Sequence, residues 1–147
     1  MEIYTIGFTK RSASEFFGAL EAAQVRRVVD VRLNNRSQLA GFTKASDLPY
    51  FLDRILDASY EHEPLLAPES DMLKAYRAGD MSWTDYGRRY NELLESRRVG
   101  AALEKHAYLN RSALLCSELE PHRCHRRLAA EYLRSRWGES EIEIIHV

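Results

Sequence analysis

The chain has little of anything that would place it quickly. It has only two cysteines among 147 residues. That is too few for a disulfide framework, so a reduced, cytosolic protein is the simpler expectation. Seven glycines and four prolines exclude a collagen-like or low-complexity chain. No apolar run approaches the roughly 20 residues that cross a bilayer, so no membrane association is expected. The opening MEIYTIGF lacks the basic region and apolar core of a secretory leader. Neither sign of charge dominates: 21 Lys and Arg stand against 22 Asp and Glu, a net −1. A nucleic acid or another anion would therefore have to be held by a local patch, not by net attraction. No internal repeat is present. What remains is ordinary globular composition, 45% hydrophobic and 29% charged, in a length that suits one domain over residues 1–147.

The pattern along the chain alternates. EIYTIG, Glu2 to Gly7, has the β-branched and aromatic content of a strand and ends on glycine. Ser12 and Glu15 have capping-box spacing, and Phe16, Phe17, Leu20 and Ala23 follow at helical intervals. RVVDVRL, Arg27 to Leu33, reads as a buried strand that turns polar at its end. The stretch Asn34 to Ser46 has loop chemistry. Pro49 fits the first turn of a helix whose apolar face would hold Leu52, Ile55 and Leu56. Ser59 to Glu63 is a weaker strand, and residues 64–79 fit no single pattern. Ser82 with Asp85 starts a further helix running to about Arg98 and continuing, with a break near Gly100, toward His106. SALLCS, Ser112 to Ser117, is an apolar strand, Pro121 opens a helix to about Trp137, and EIEIIHV closes the chain as a strand. The expected fold is a single-domain, three-layer α/β sandwich: a mostly parallel sheet of about five strands with helices on both faces.

In such a sheet, ligands bind beyond the carboxyl ends of the strands. That rule selects Gly7-Phe8-Thr9, Asp30-Val31-Arg32 and Cys116-Ser117-Glu118, three separate segments that bring unusual polar groups to one edge. Asp30 and Arg32 alternate in one strand, and charges inside an apolar run are costly unless paired. Between Asn34 and Ser46, Arg36, Ser37, Phe42 and Lys44 combine cationic and aromatic groups of the kind that hold a phosphate and stack a base.

LLCSELEPHRCHRRLAAEYL, Leu114 to Leu133, contains both cysteines. Its possible metal ligands are Cys116, Glu118, His122, Cys124 and His125. The cysteines are too far apart for a self-contained structural zinc motif. A composite site of Cys116, Cys124 and His125 stays open, because a strand end and a helix start adjoin; a bound metal ion is allowed but not favoured. As a nucleophile, Cys124 suits a helix N-terminus among Arg123, Arg126 and Arg127 better than Cys116, which precedes two acids. His125 would serve either thiol as base. A phosphatase-like loop between Cys116 and Arg123 is disfavoured by Glu118, Glu120 and the lack of glycine. His125, Leu128, Ala129, Tyr132, Leu133 and Trp137 form one stripe of the last helix, which should pack on the sheet.

Together, YTIGFTKRSASEFFGAL, VVDVRLNNRS, GFTKASDLPYFL and LLCSELEPHRCHRRLAAEYL resemble the family grouped as domain of unknown function 488, small bacterial and archaeal α/β proteins. The resemblance spans most of the chain. It rests on TIG, DVR, LLC-x-E and CHR in that order. It implies a compact α/β domain and places Gly7, Asp30, Arg32, Cys116, Glu118, Cys124, His125 and Arg126 in the family's motif. Where that family continues with a Leu-Gly-Gly-like segment, this chain has Leu65-Leu66-Ala67. The resemblance brings no reaction with it.

The functional expectation is a small enzyme acting on a phosphate-bearing substrate, a nucleotide or nucleic acid. Asp30, Cys116, Glu118, Cys124 and His125 are its candidate catalytic groups. Gly7, Thr9, Arg32, Ser37, Lys44 and Arg126 are its candidate substrate-binding groups. The alternatives are a metal-binding or redox-sensing module built on Cys116, Cys124 and His125, and a non-catalytic interaction domain. The oligomeric state is left open.

Overall fold

The structure is a computed structural model and describes residues 1–36, 41–118, 120–138 and 140–147. Five strands, β1 (Glu2–Gly7), β2 (Arg27–Asp30), β3 (Ser59–His62), β4 (Ser112–Cys116) and β5 (Glu143–His146), form one sheet in the order β3-β2-β4-β1-β5. Every pairing is parallel. The helices are α1 (Ala13–Ala22), α2 (Leu48–Leu56), α3 (Ser70–Arg77), α4 (Trp83–Ser96), α5 (Val99–Ala102), α6 (Lys105–Tyr108) and α7 (His125–Trp137).

Two cores lie on the two sheet faces. Tyr4, Ile6, Val28, Ala113 and Leu115 pack against Phe16, Phe17 and Leu20 of α1 and Leu48 and Leu52 of α2. Ile3, Val29, Leu114 and Cys116 pack on the other face with Met72, Tyr86, Tyr90, Leu94 and the apolar stripe of α7. The alternation of strand side chains sorts the two sets. The three-layer parallel sandwich expected from the sequence is the one observed.

Local chemistry sets the helix ends. Ser12 and Glu15 form a reciprocal capping box at α1, and Ser82 accepts from the Asp85 N–H at α4. In α2 the apolar face is carried by Leu48 and Leu52, whereas Ile55 points outward and is 49% exposed. The patternless stretch 64–79 holds a 3-10 turn, Pro64–Leu66, and then α3. Before the last helix, Pro121–Arg123 makes a 3-10 turn, so α7 starts only at His125, with Cys124 at its cap.

The connections out of β1 and β2 run toward the β3 edge, and those out of β3 and β4 run back toward β5. The chain therefore diverges between the carboxyl ends of β2 and β4. Such a divergence opens the crevice in which α/β proteins bind ligands.

Candidate functional site

The floor of this crevice is built where β4 ends and α7 begins. Leu114 and Cys116 share the face covered by α4 and α7. Cys124 caps α7, and His125 is that helix's first residue. These two junctions bring Cys116 Sγ, Cys124 Sγ and a His125 ring nitrogen within 4.8 Å of one another, all buried. Cys116 Sγ lies 3.5 Å from His125 Nδ1 and 3.8 Å from Nε2. Nε2 is 2.8 Å from the Val31 carbonyl oxygen. A carbonyl only accepts, so Nε2 donates there, and Nδ1 is the nitrogen left for the sulfurs. Tyr90 meets the imidazole edge-on at 5.7 Å, and its hydroxyl donates to the Leu66 carbonyl.

The two thiols differ in acidity. Cys116 is held below the usual thiol range. Its first cause is a hydrogen bond from the Cys124 thiol, with help from the Ser117 backbone and the Arg126 charge, against the opposing effect of burial. Cys124 is pushed well above that range by the same hydrogen bond and by burial. The sequence favours Cys124 as the nucleophile, whereas the thiol whose pKa is lowered is Cys116. Cys124 heads the helix, but its proton serves Cys116.

Asp30 and Arg32 form a separate device. Val28 and Asp30 face the α1–α2 layer, away from Cys116. The Asp30 carboxylate accepts from Arg32 Nε at 2.8 Å, Arg32 Nη2 at 2.7 Å, the Arg32 backbone N–H at 3.1 Å and the Tyr60 hydroxyl at 2.7 Å. Four donors satisfy it, which suits a fixed anchor and not the acid or base expected from the sequence. Burial and the bond to Asp30 push the Tyr60 hydroxyl pKa up, so it stays a donor. Arg32 Nη2 also donates to the Thr43 carbonyl, and the guanidinium lies 5.2 Å from the Phe8 ring centre. Among the described residues, no hydrogen bond engages Arg32 Nη1. Arg32 thus lines the crevice, oriented by Asp30 from behind.

Arg126 departs from the anion-holding role expected for it. It is fully buried, and its Nη1 donates to the Glu118 carbonyl. Beneath the same carbonyl lies Gly7, where the backbone of β1 meets the 116–118 loop with no room for a side chain. The Phe8 and Thr9 N–H groups both donate to the Ser117 carbonyl. Gly7 and Arg126 therefore hold the floor together, and neither is among the residues that line the cavity above it.

Above the floor is a cavity of about 590 Å³, within the range typical of small-molecule sites. One wall is aromatic: Tyr76 of α3 with Trp83 and Tyr86 of α4, ring centres 5.1 to 5.4 Å apart, the last two nearly parallel. Phe8 and Phe42 form the opposite side. The rim is cationic, with Lys10, Arg11, Arg77 and Arg123 against one lining carboxylate, Glu118, while the charge of the buried Arg32 is paired with Asp30. Arg11 Nη1 is shielded from solvent and has no partner among the described residues.

Of the residues selected from the sequence, Thr9, Arg32, Cys116, Glu118, Cys124 and His125 line this cavity. Asp30, Gly7 and Arg126 support it from outside. Lys44 is 3.7 Å from Asp47 in an ion pair and is not part of the described lining. Ser37 lies outside the described residues. Sequence reasoning missed Tyr76, Trp83 and Tyr86, along with Lys10, Arg11 and Arg77. The only signal was aromatic spacing in WTDYGRRY, which a plain core stripe shares.

A family model described as "Domain of unknown function DUF488" matches residues 12–133. No curated protein and no solved structure matches the chain. Among the described residues, no helix is long and apolar enough to cross a membrane.

Proposed function

For a chain that belongs to the DUF488 family, whose description carries no activity, we propose an enzyme acting on a phosphate-bearing substrate of nucleotide size. The reacting end of the substrate would sit over Cys116, Cys124 and His125. One observation carries this reading: the cavity joins a stacked aromatic wall and a cationic rim to a buried sulfur–imidazole floor. Aromatic faces take a base with little sequence preference. Arginines take phosphate through charge-assisted, bidentate hydrogen bonds. Arg11 and Arg77 both line the cavity and are placed to take such an anion. The volume suits one nucleotide unit rather than an extended strand.

Calorimetric titration with a nucleoside monophosphate, the parent nucleoside and inorganic phosphate tests the reading. The monophosphate should bind tightest, and Arg11→Gln and Arg77→Gln should each weaken it about 10- to 150-fold, as loss of one charged hydrogen bond implies. Trp83→Ala should weaken the nucleoside as well. Equal affinity for nucleoside and nucleotide, or binding indifferent to both arginines, would remove the phosphate from the substrate class.

A further inference from the structure

We propose that Cys116 Sγ, Cys124 Sγ and His125 Nδ1 bind one zinc-class divalent ion, with its fourth coordination position open to the cavity. This rests on the enzyme reading above and names the reactive group of that same floor. Zinc holds sulfur at about 2.3 Å and imidazole nitrogen at about 2.0–2.1 Å in a tetrahedron, so its ligand atoms sit roughly 3.4–3.8 Å apart. The Cys116 Sγ to His125 Nδ1 distance is 3.5 Å, and all three donors fall within 4.8 Å. Cys116 Sγ is nearly equidistant from Nδ1 and Nε2, so closing the shell takes rotation of the two cysteine side chains toward the in-plane lone pair of Nδ1 while the ring stays in place.

The surroundings are those of a ligand histidine. Metal-bound imidazoles ordinarily donate their other N–H to a carbonyl or carboxylate, which fixes the ring. Here Nε2 is fixed 2.8 Å from the Val31 carbonyl oxygen. Tyr90 packs against the ring edge and keeps it from swinging away. Two sulfurs and one imidazole select a soft or borderline ion over magnesium or calcium, which take oxygen.

The number of donors distinguishes a catalytic site from a structural one. Structural zinc sites close with four protein ligands, whereas catalytic sites keep three and leave the fourth position to water or substrate. Among the described residues this cluster has three members, and all three line the cavity. The open position therefore faces the space assigned to the substrate, where it would take a water or a substrate oxygen. A divalent ion bound by two thiolates is neutral, so the filled floor would not repel a phosphate. The spacing that spoke against a zinc motif in the sequence concerned ligands on a single loop. The fold supplies them from the end of β4 and the cap of α7 instead.

The test uses the full chain, produced untagged and purified without chelator. Elemental analysis should find close to one zinc per chain. Cobalt(II) added to chelator-stripped protein should give a thiolate-to-cobalt charge-transfer band and intense tetrahedral ligand-field bands that saturate at one equivalent. Cys124→Ala should lower metal content at least about tenfold, and His125→Ala should alter the cobalt spectrum. Should a variant fail to fold, cobalt titration of the folded wild-type protein decides alone. Wild-type protein that stays metal-free and shows no thiolate–cobalt band would overturn the proposal. Nucleotide binding that persists in that metal-free protein would leave the substrate reading standing. Stoichiometric metal with no affinity for any phosphate compound would do the reverse.

Discussion

A methyl group at position 7 would sit 1.6 Å from the Glu118 carbonyl oxygen and 2.7 Å from Arg126 Nη1. The first of these atoms is backbone and cannot step aside, so the whole 116–118 loop would have to lift. Gly7→Ala should therefore destabilise the fold by about 3 kcal/mol or more in urea unfolding. It should also displace Cys116, so cobalt binding should fall in whatever protein remains folded. Asp30 gives a second case at this scale. Its carboxylate is fully buried and receives four hydrogen bonds. Asp30→Ala would strand the buried Arg32 guanidinium, a change that costs about 3–5 kcal/mol. If Asp30 is an anchor, stability and nucleotide affinity should fall together, and any measured activity should keep its pH profile. A lost pH limb with unchanged stability would restore Asp30 as an acid or base.

At the scale of elements, β5 is an edge strand tied to β1 by its register and by a 2.5 Å hydrogen bond between Thr5 Oγ1 and His146 Nδ1. The His146 pKa is lowered, first by burial and then by the Arg126 and Arg127 charges, with Glu131 opposing. A histidine with a lowered folded pKa takes its proton more readily in the unfolded chain. Its contribution to stability is therefore intact above the ordinary imidazole range, near 6.5. As the pH falls below that range, it is progressively lost. Between about pH 7 and pH 5, wild-type stability should drop more steeply than that of His146→Asn; parallel slopes would exclude this link. The aromatic wall is also an element property. Trp83, Tyr86 and Tyr90 recur along α4, and their rings run as a stack from the rim down to His125. Burial pushes the Tyr86 and Tyr90 hydroxyl pKa values up, so both remain neutral beside the sulfurs.

For the whole molecule, the strand alternation and the capping pairs Ser12–Glu15 and Ser82–Asp85 were enough to give the layers, because period and cap are local properties. The site was only half legible for a physical reason. The strand-end rule finds Arg32 and Cys116, but it does not say that Asp30 faces the other side of the sheet or that Arg126 lies under the loop. Those placements depend on where β2 ends and on where α7 begins after the 3-10 turn. Likewise Cys124 looks like the activated thiol when only its helix is considered. Beside Cys116 its pKa is pushed up instead of down. Tyr76 and Trp83 were invisible because an aromatic on an amphipathic helix reads as core whether it packs inward or lines a cavity.

The cavity and its floor meet in one measurement: amide and side-chain NMR shift mapping of the full chain during titration with a nucleoside monophosphate. The largest saturating shifts are predicted at Phe8–Arg11, Arg32–Asn34, Ser117 and the Trp83 indole, with the His125 ring responding at the same ligand concentration. Shifts confined to other surfaces, or none at millimolar ligand while the fold stays intact, would contradict a phosphate-bearing substrate held over Cys116, Cys124 and His125.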